Sequence, residues 1–204
     1  MKNKFLCVLL LVALQVFSQE NNSSKGNYFA NFYFGNATIE SETSYKVNAD
    51  ALGGSVGKEF ILSKPLSLIT AVELLRIQYE IPAASTSSPL FQVNNFIKIP
   101  VLLRYGHEFA SKARLYAETG IYIASLYGLK IENSALNSYQ KESNVGYNFG
   151  LQLNMGLRYQ LSDIYSFEFG LSTQGDIFQV YDDSFSNLKI AELYSFQLKI
   201  VSKL

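Results

Sequence analysis

Fifteen consecutive residues alternate without a slip. Val145, Tyr147, Phe149, Leu151, Leu153, Met155, Leu157 and Tyr159 stand against Gly146, Asn148, Gly150, Gln152, Asn154, Gly156 and Arg158. A period of two over this length is a two-faced β-strand, because successive side chains leave a strand on opposite sides. One face is large and apolar, the other small or polar, and flanking segments repeat the pattern. Small and polar inside with large and apolar outside is the construction of a membrane-spanning barrel.

Eight such segments are legible, at 28–37, 49–62, 66–79, 91–109, 114–131, 143–160, 164–180 and 188–201. The connections at 63–65, 110–113 and 161–163 are tight, whereas those at 38–48, 80–90, 132–142 and 181–187 are long and polar. Short turns on one rim and long loops on the other predict an all-β fold, an eight-stranded antiparallel up-and-down transmembrane β-barrel. In that arrangement both termini are periplasmic.

The beginning of the chain fits export to the outer membrane of a Gram-negative cell. Lys2 and Lys4 precede an apolar run at 5–16, and a polar stretch follows at 18–22. This pattern predicts a signal peptide over 1–18, a short periplasmic segment over 19–27 and the barrel domain over 28–204. The apolar run is shorter than the roughly 20 residues of a spanning helix. The only cysteine, Cys7, lies inside the predicted signal, which leaves the mature chain without disulfides or thiolate chemistry. Losing Lys2 and Lys4 from 17 basic residues leaves 15 against 17 acidic ones, a formal charge of −2 that offers nucleic acid nothing.

Alternation alone does not say which face points outward, and a soluble lipocalin-like barrel with an apolar interior is the structural rival. Volume argues against it. Eight strands enclose just enough space for side chains, and the apolar faces carry too many Phe, Tyr and Leu to fit there. A water-facing wall would also be dense in Lys and Glu, yet the polar face from Gly146 to Arg158 holds one charge.

The tyrosines agree with an outward apolar face. Tyr105, Tyr159 and Tyr165 fall near the turn rim and Tyr127, Tyr147 and Tyr194 near the loop rim, as two interfacial girdles would. From Tyr147 to Tyr159 a strand tilted by about 40° climbs roughly 30 Å, a membrane thickness. Pro100 sits mid-strand, where a closed barrel has no free edge for its missing amide hydrogen. A bulge or a locally broken ladder is expected there.

Two segments carry a family likeness. Ile97-Lys98-Ile99-Pro100-Val101-Leu102-Leu103-Arg104-Tyr105, followed by Tyr116-Ala117-Glu118-Thr119-Gly120-Ile121-Tyr122, resembles the PorT-type outer-membrane β-barrel family of Bacteroidota. The Gly-rich strand from Asn148 onward is similar to that family's sixth strand. The resemblance implies this fold and location, and through some family members a role in type IX protein secretion and gliding.

Seven charged residues, Glu73, Lys98, Arg104, Glu118, Arg158, Glu168 and Lys199, fall on the predicted lumen face in both signs. Unpaired charges in a narrow lumen of reduced dielectric are costly, so a salt-bridged plug is expected rather than an open pore. An ion pathway through them is the sharper alternative.

Catalysis has little to work with. His107 is the sole histidine, which excludes a multi-histidine metal centre, and it lies near the turn rim, away from where an enzyme of lipid A would act. No catalytic residue, cofactor or metal site is assigned. Asp176, Asp182 and Asp183 near the fourth loop could approach a divalent ion, but an Asp-Asp-Ser turn is ordinarily solvated. The expected function is that of a small, non-enzymatic barrel with a structural or partner-binding role. Its partners are outer-membrane lipid and lipopolysaccharide and a protein met through loops or periplasmic turns. A transport or lipid A-modifying barrel is the alternative.

Overall fold

The computed structural model describes residues 26–41, 46–81, 90–133, 138–142, 145–180 and 188–203. The predicted signal peptide, Asp182 and Asp183 lie outside these residues. The strands are β1 (Gly26–Ser41), β2 (Lys46–Ile61), β3 (Leu66–Ile81), β4 (Leu90–Ala110), β5 (Ala113–Asn133), β6 (Ser138–Glu142), β7 (Val145–Gln160), β8 (Tyr165–Val180) and β9 (Leu188–Lys203). All neighbours pair antiparallel. The first strand pairs with the last, Asn27 opposite Lys203, and β4 pairs with β5, which closes the sheet on itself.

The short β6 is no ninth stave. Leu129 lies opposite Glu142 and Leu126 opposite Val145, so β6 and β7 lie along the same side of β5 in one register. The barrel therefore has eight staves. Turns at 62–65, 111–112 and 161–164 share one rim with both ends of the described chain, and the opposite rim carries the loops.

Three of those loops are shorter than the sequence suggested. The strands run on to Ser41, Ile81 and Asn133, leaving connections of 42–45, 82–89 and 134–137, while the fourth connection, 181–187, falls where it was expected. Residues within the expected loops at 38–48, 80–90 and 132–142 are ladder instead. Sixteen residues at about 3.3 Å each, tilted by about 40°, give a wall about 40 Å tall, more than the roughly 25 Å apolar band of a membrane barrel.

The wall divides accordingly. Along the turn-side part the outward residues are apolar and exposed, including Phe32, Phe34, Leu52, Val56, Leu103, Leu153, Met155, Phe169 and Leu198. Nearer the loop rim the wall of β1, β2, β3 and β9 turns polar, with Asn36, Asn48, Asp50, Arg76 and Glu192 exposed, while β8 keeps Phe178 and Val180 exposed there. The interior switches in the opposite sense. Ile39, Leu75, Ile77, Phe96, Leu126, Leu129, Ile190 and Leu193 pack as an apolar plug inside the loop end, where the sequence predicted polar contents throughout.

Four of the five register shifts lie on the loop side, between Thr38 and Ile39, Asn95 and Phe96, Ser125 and Leu126, and Phe149 and Gly150. A bulge adds a residue to one strand and re-aims those beyond it. This is how Ile190 and Leu193, three apart, both enter the plug. Pro100 produces no shift. The β3–β4 ladder simply omits the pairs between Thr70–Val101 and Glu73–Lys98, leaving it broken where the proline offers no donor.

Inside, aromatic rings lie over glycines of the neighbouring strand. Tyr33 is opposite Gly53 and Tyr122 opposite Gly150. A β-carbon at Gly53 would stand 2.1 Å from the Tyr33 ring, and one at Gly150 would stand 2.3 Å from that of Tyr122. Only glycine leaves room for a ring flat against the wall, and the rings then hold their hydroxyls out into the lumen.

Candidate functional site

The turn-side lumen is the chemically dense part of the molecule, and strand register builds it. Glu73 is directly opposite Lys98, Arg104 opposite Glu118, Arg158 opposite Glu168, and Glu168 opposite Lys199. Each pair faces inward from adjacent strands, so opposite charges meet without any reach across the barrel.

Arg104 is the hub and is 2% exposed. Its Nη1 and Nη2 donate to the two oxygens of Glu168 at 2.7 and 2.8 Å, its Nε donates to Glu118 Oε1 at 2.8 Å, and Nη1 also reaches Glu59 Oε1 at 3.2 Å. A planar guanidinium suits this task because its fork of fixed donors serves several carboxylates at once. The guanidinium stands 4.3 Å from the centroid of the Tyr116 ring. Arg158 Nη2 donates to Glu59 Oε2 at 2.7 Å and its Nε to Glu168 Oε1 at 2.5 Å. Lys199 Nζ lies 3.4 Å from both Glu118 and Glu168. Three cations thus meet three carboxylates. Asn27 and Ser67 donate to Glu59, each at 2.8 Å, and Asn154 donates to Glu118 at 2.6 Å.

Above this cluster Lys98 Nζ pairs with Glu73 Oε1 at 2.5 Å and donates to Gln152 at 3.2 Å and to Gln174, while Tyr33 donates to Glu73 at 2.6 Å. Gln152 in turn donates to Asn154 at 3.1 Å, joining the two layers. Higher still, the carboxylate of Asp176 accepts from the Tyr122 hydroxyl at 2.6 Å, Asn148 Nδ2 at 2.5 Å and the Ile190 amide at 2.8 Å. The apolar plug begins immediately beyond.

The cavity among Asn31, Tyr33, Glu73, Lys98 and Gln174 measures about 10 Å³. That is room for about one water and no more. Among the described residues the contents are interlocked polar groups capped by apolar ones.

No protein-family model matches the chain, and no curated protein matches it in sequence. Solved structures do. Neisserial surface protein A superposes with a TM-score of 0.56 at 12% identity, covering 90% of this chain and 100% of that one. The outer membrane protein OprG from Pseudomonas aeruginosa superposes with a TM-score of 0.52 at 9% identity, covering 90% of this chain and 98% of that one. The fold is a closed eight-stranded antiparallel β-barrel.

Within this barrel all seven charged residues singled out from the sequence point inward and join the network just described. The six tyrosines lie on the outer wall: Tyr105, Tyr159 and Tyr165 toward the turn rim, Tyr127, Tyr147 and Tyr194 toward the loops. Tyr147 is half-buried and the other five are exposed. His107 is exposed at the turn end of β4, opposite Leu115, away from the lumen charges. Asp176, read from the sequence with Asp182 and Asp183 as part of a solvated turn, is 6% exposed and hydrogen-bonded inside the barrel. Among the described residues no cluster of three metal-ligating side chains occurs.

Sequence reasoning missed Glu59, which is as central as any of the seven. Lys58-Glu59 a few residues before a turn reads as a solvated rim. The usable signal was the small face Ala49, Ala51, Gly53, Ser55, Gly57, whose next member is Glu59.

Proposed function

We propose that this protein is a small outer-membrane β-barrel with a sealed lumen, acting as a structural or partner-binding element rather than as a pore or an enzyme. The observation that carries the proposal is the pairing of an exposed apolar belt with a closed, charge-balanced interior. A wall bearing Phe32, Val56, Leu153, Met155 and Phe169 has no stable place in water, whereas lipid accepts it. The soluble lipocalin-like alternative needs its apolar side chains inside, whereas here the large apolar cluster fills the loop end and the turn-side interior holds only the small cluster of Phe29, Ile69, Ala71, Leu102 and Val201 beside the charges.

In this reading the turn rim and both chain ends are periplasmic and the loop rim faces outward. The resemblance of Ile97 to Tyr105 and Tyr116 to Tyr122 to PorT-type barrels supports a finer role as an accessory of a type IX-like secretion machine, with the rims as contact surfaces. Closure pairs all eight staves, and among the described residues the short β6, paired with β5 alone, and the end of β8 beyond Gln174 lack a ladder partner on one side. Among the described residues no carboxylate or hydroxyl is hydrogen-bonded to the exposed His107 to form a catalytic pair, which favours a non-enzymatic role.

Three measurements test this. The protein should fractionate with outer membranes and migrate faster on gels before boiling than after. Planar bilayers containing it should show no steady current, and Arg158→Met should lower thermal stability without creating one. Lipid A from producing cells should be unmodified by mass spectrometry, while crosslinking at the rims should capture a secretion component. Steady current or altered lipid A overturns the proposal.

A further inference from the structure

Among the described residues Lys58, a cation in the apolar belt, has no counter-charge. Lys58 lies on the outer face of β2, opposite Tyr28 of β1, near the turn end of the wall. It is 7% exposed, although it faces outward, because the rings beside it cover its stem. Its ammonium sits 4.9 Å from the centroid of Tyr28 and 5.2 Å from that of Phe60. Among the described residues no carboxylate lies within ion-pair distance of it. Phe60 is the next outward residue toward the turn, so the side chain runs along the wall toward the nearer rim, as a lysine does when its stem is in hydrocarbon and its head seeks an interface.

Beside it the wall is hollow. A groove of about 480 Å³, lined almost wholly by apolar atoms, crosses β9, β1, β2 and β3 between Tyr28, Ala30, Val56, Val72, Ile200 and Ser202. Ala30 makes it. Its β1 outward neighbours are Tyr28 and Phe32, and a single methyl between two rings leaves the depression open. Tyr28 belongs both to the groove and to the pair of rings around the Lys58 ammonium, so the two features are continuous.

We infer that this face holds one anionic glycerophospholipid, its phosphodiester on Lys58 and an acyl chain in the groove over Ala30. The inference rests on the membrane placement proposed above. It follows from complementarity: an unpaired cation at the edge of an apolar belt needs an anion that arrives with hydrocarbon attached. A phospholipid of the turn-side leaflet supplies both at that depth, and the aromatic rings flank the headgroup as they flank the ammonium. Neither a soluble anion nor an apolar small molecule satisfies both halves of the site.

The test uses the barrel reconstituted in vesicles of equal parts phosphatidylglycerol and phosphatidylcholine with identical acyl chains, then released for native mass spectrometry. The wild type should retain one phosphatidylglycerol in preference to phosphatidylcholine. Lys58→Gln and Ala30→Phe should each reduce that retention at least tenfold, and Lys58→Arg should keep it. Both loss variants lie on the outer wall and should retain the heat-dependent gel shift, which verifies folding. Retention that is equal in wild type and Lys58→Gln, or that matches the bulk lipid ratio, overturns the site while leaving the membrane reading intact. Loss in only one of the two variants overturns the two-part site. A wild type that neither floats with vesicles nor shows a gel shift overturns the membrane reading itself.

Discussion

The two ends of the barrel differ inside and out. Toward the turns the wall is apolar and the interior holds the lattice of Arg104, Arg158, Lys199 and three glutamates beside the small apolar cluster around Phe29, Ile69 and Leu102; toward the loops the wall of β2, β3 and β9 carries Asp50, Arg76 and Glu192 and the interior is Leu75, Ile77, Phe96 and Leu193. One sheet accommodates both, and in the membrane placement proposed above the surroundings choose the chemistry. Where lipid surrounds the wall, outward apolar groups gain nothing from closure because lipid is as apolar as they are. Cohesion there comes from satisfied hydrogen bonds and ion pairs in a low dielectric. Where water surrounds the wall, apolar burial drives closure in the ordinary way, and the same inward positions become Leu, Ile and Phe.

The largest effect is expected at the hub. Arg104→Met strands Glu59, Glu118 and Glu168 with one guanidinium fewer and should cost about 3–5 kcal/mol, the range for breaking a buried ion pair from one side. The urea midpoint of the gel-shifted form measures it. A loss no greater than that of an exposed substitution would break the claim that the lattice holds the membrane half together.

At the other end, Leu193→Ala should cost about 3 kcal/mol through lost burial and a residual cavity. Its signature is local: amide exchange should quicken around the plug and leave the strands around Arg104 protected. Exchange that quickens evenly along the wall would mean that the two ends are one cooperative body.

The boundary between them is sharpened by arginine on the outer wall. Leu153→Arg, in the middle of the apolar belt, should cost about 2–4 kcal/mol when folding into vesicles is followed by the gel shift. The smallest effect is expected two positions beyond Leu52, where Asp50→Arg should change stability by about 0–1 kcal/mol. A comparable loss at both sites would put Asp50 inside the lipid and move the boundary.

Much of this was legible before any coordinates. Strands with one small polar face, such as that of β7, assign inside and outside by volume alone, and they carried Glu118, Arg158 and Glu168 to the lumen. Legibility failed where both faces are apolar. In β3, Leu74 is 55% exposed and its neighbour Leu75 is 2% exposed, and no period-two argument separates two leucines. It failed again where bulges re-aim the chain, as at Ile190 and Leu193. The interior plug was hidden because some of its residues, such as Ile39, fell in an expected loop and others stand in strands whose two faces are both apolar. Glu59 was obscured by Lys58, and the pair separates only when one is assigned to the lattice and the other to the lipid.

The central claim is that lipid encloses the turn-side wall and water the loop-side wall. Because Cys7 is the only cysteine, a chain starting at Gln19 has none, and single cysteines can be placed at will. The decisive measurement is labelling of Leu153→Cys and Asp50→Cys by a water-soluble maleimide, with the folded barrel in vesicles and again after solubilisation in urea. Asp50→Cys should label under both conditions and Leu153→Cys only in urea. Equal labelling of the two in vesicles would contradict the account.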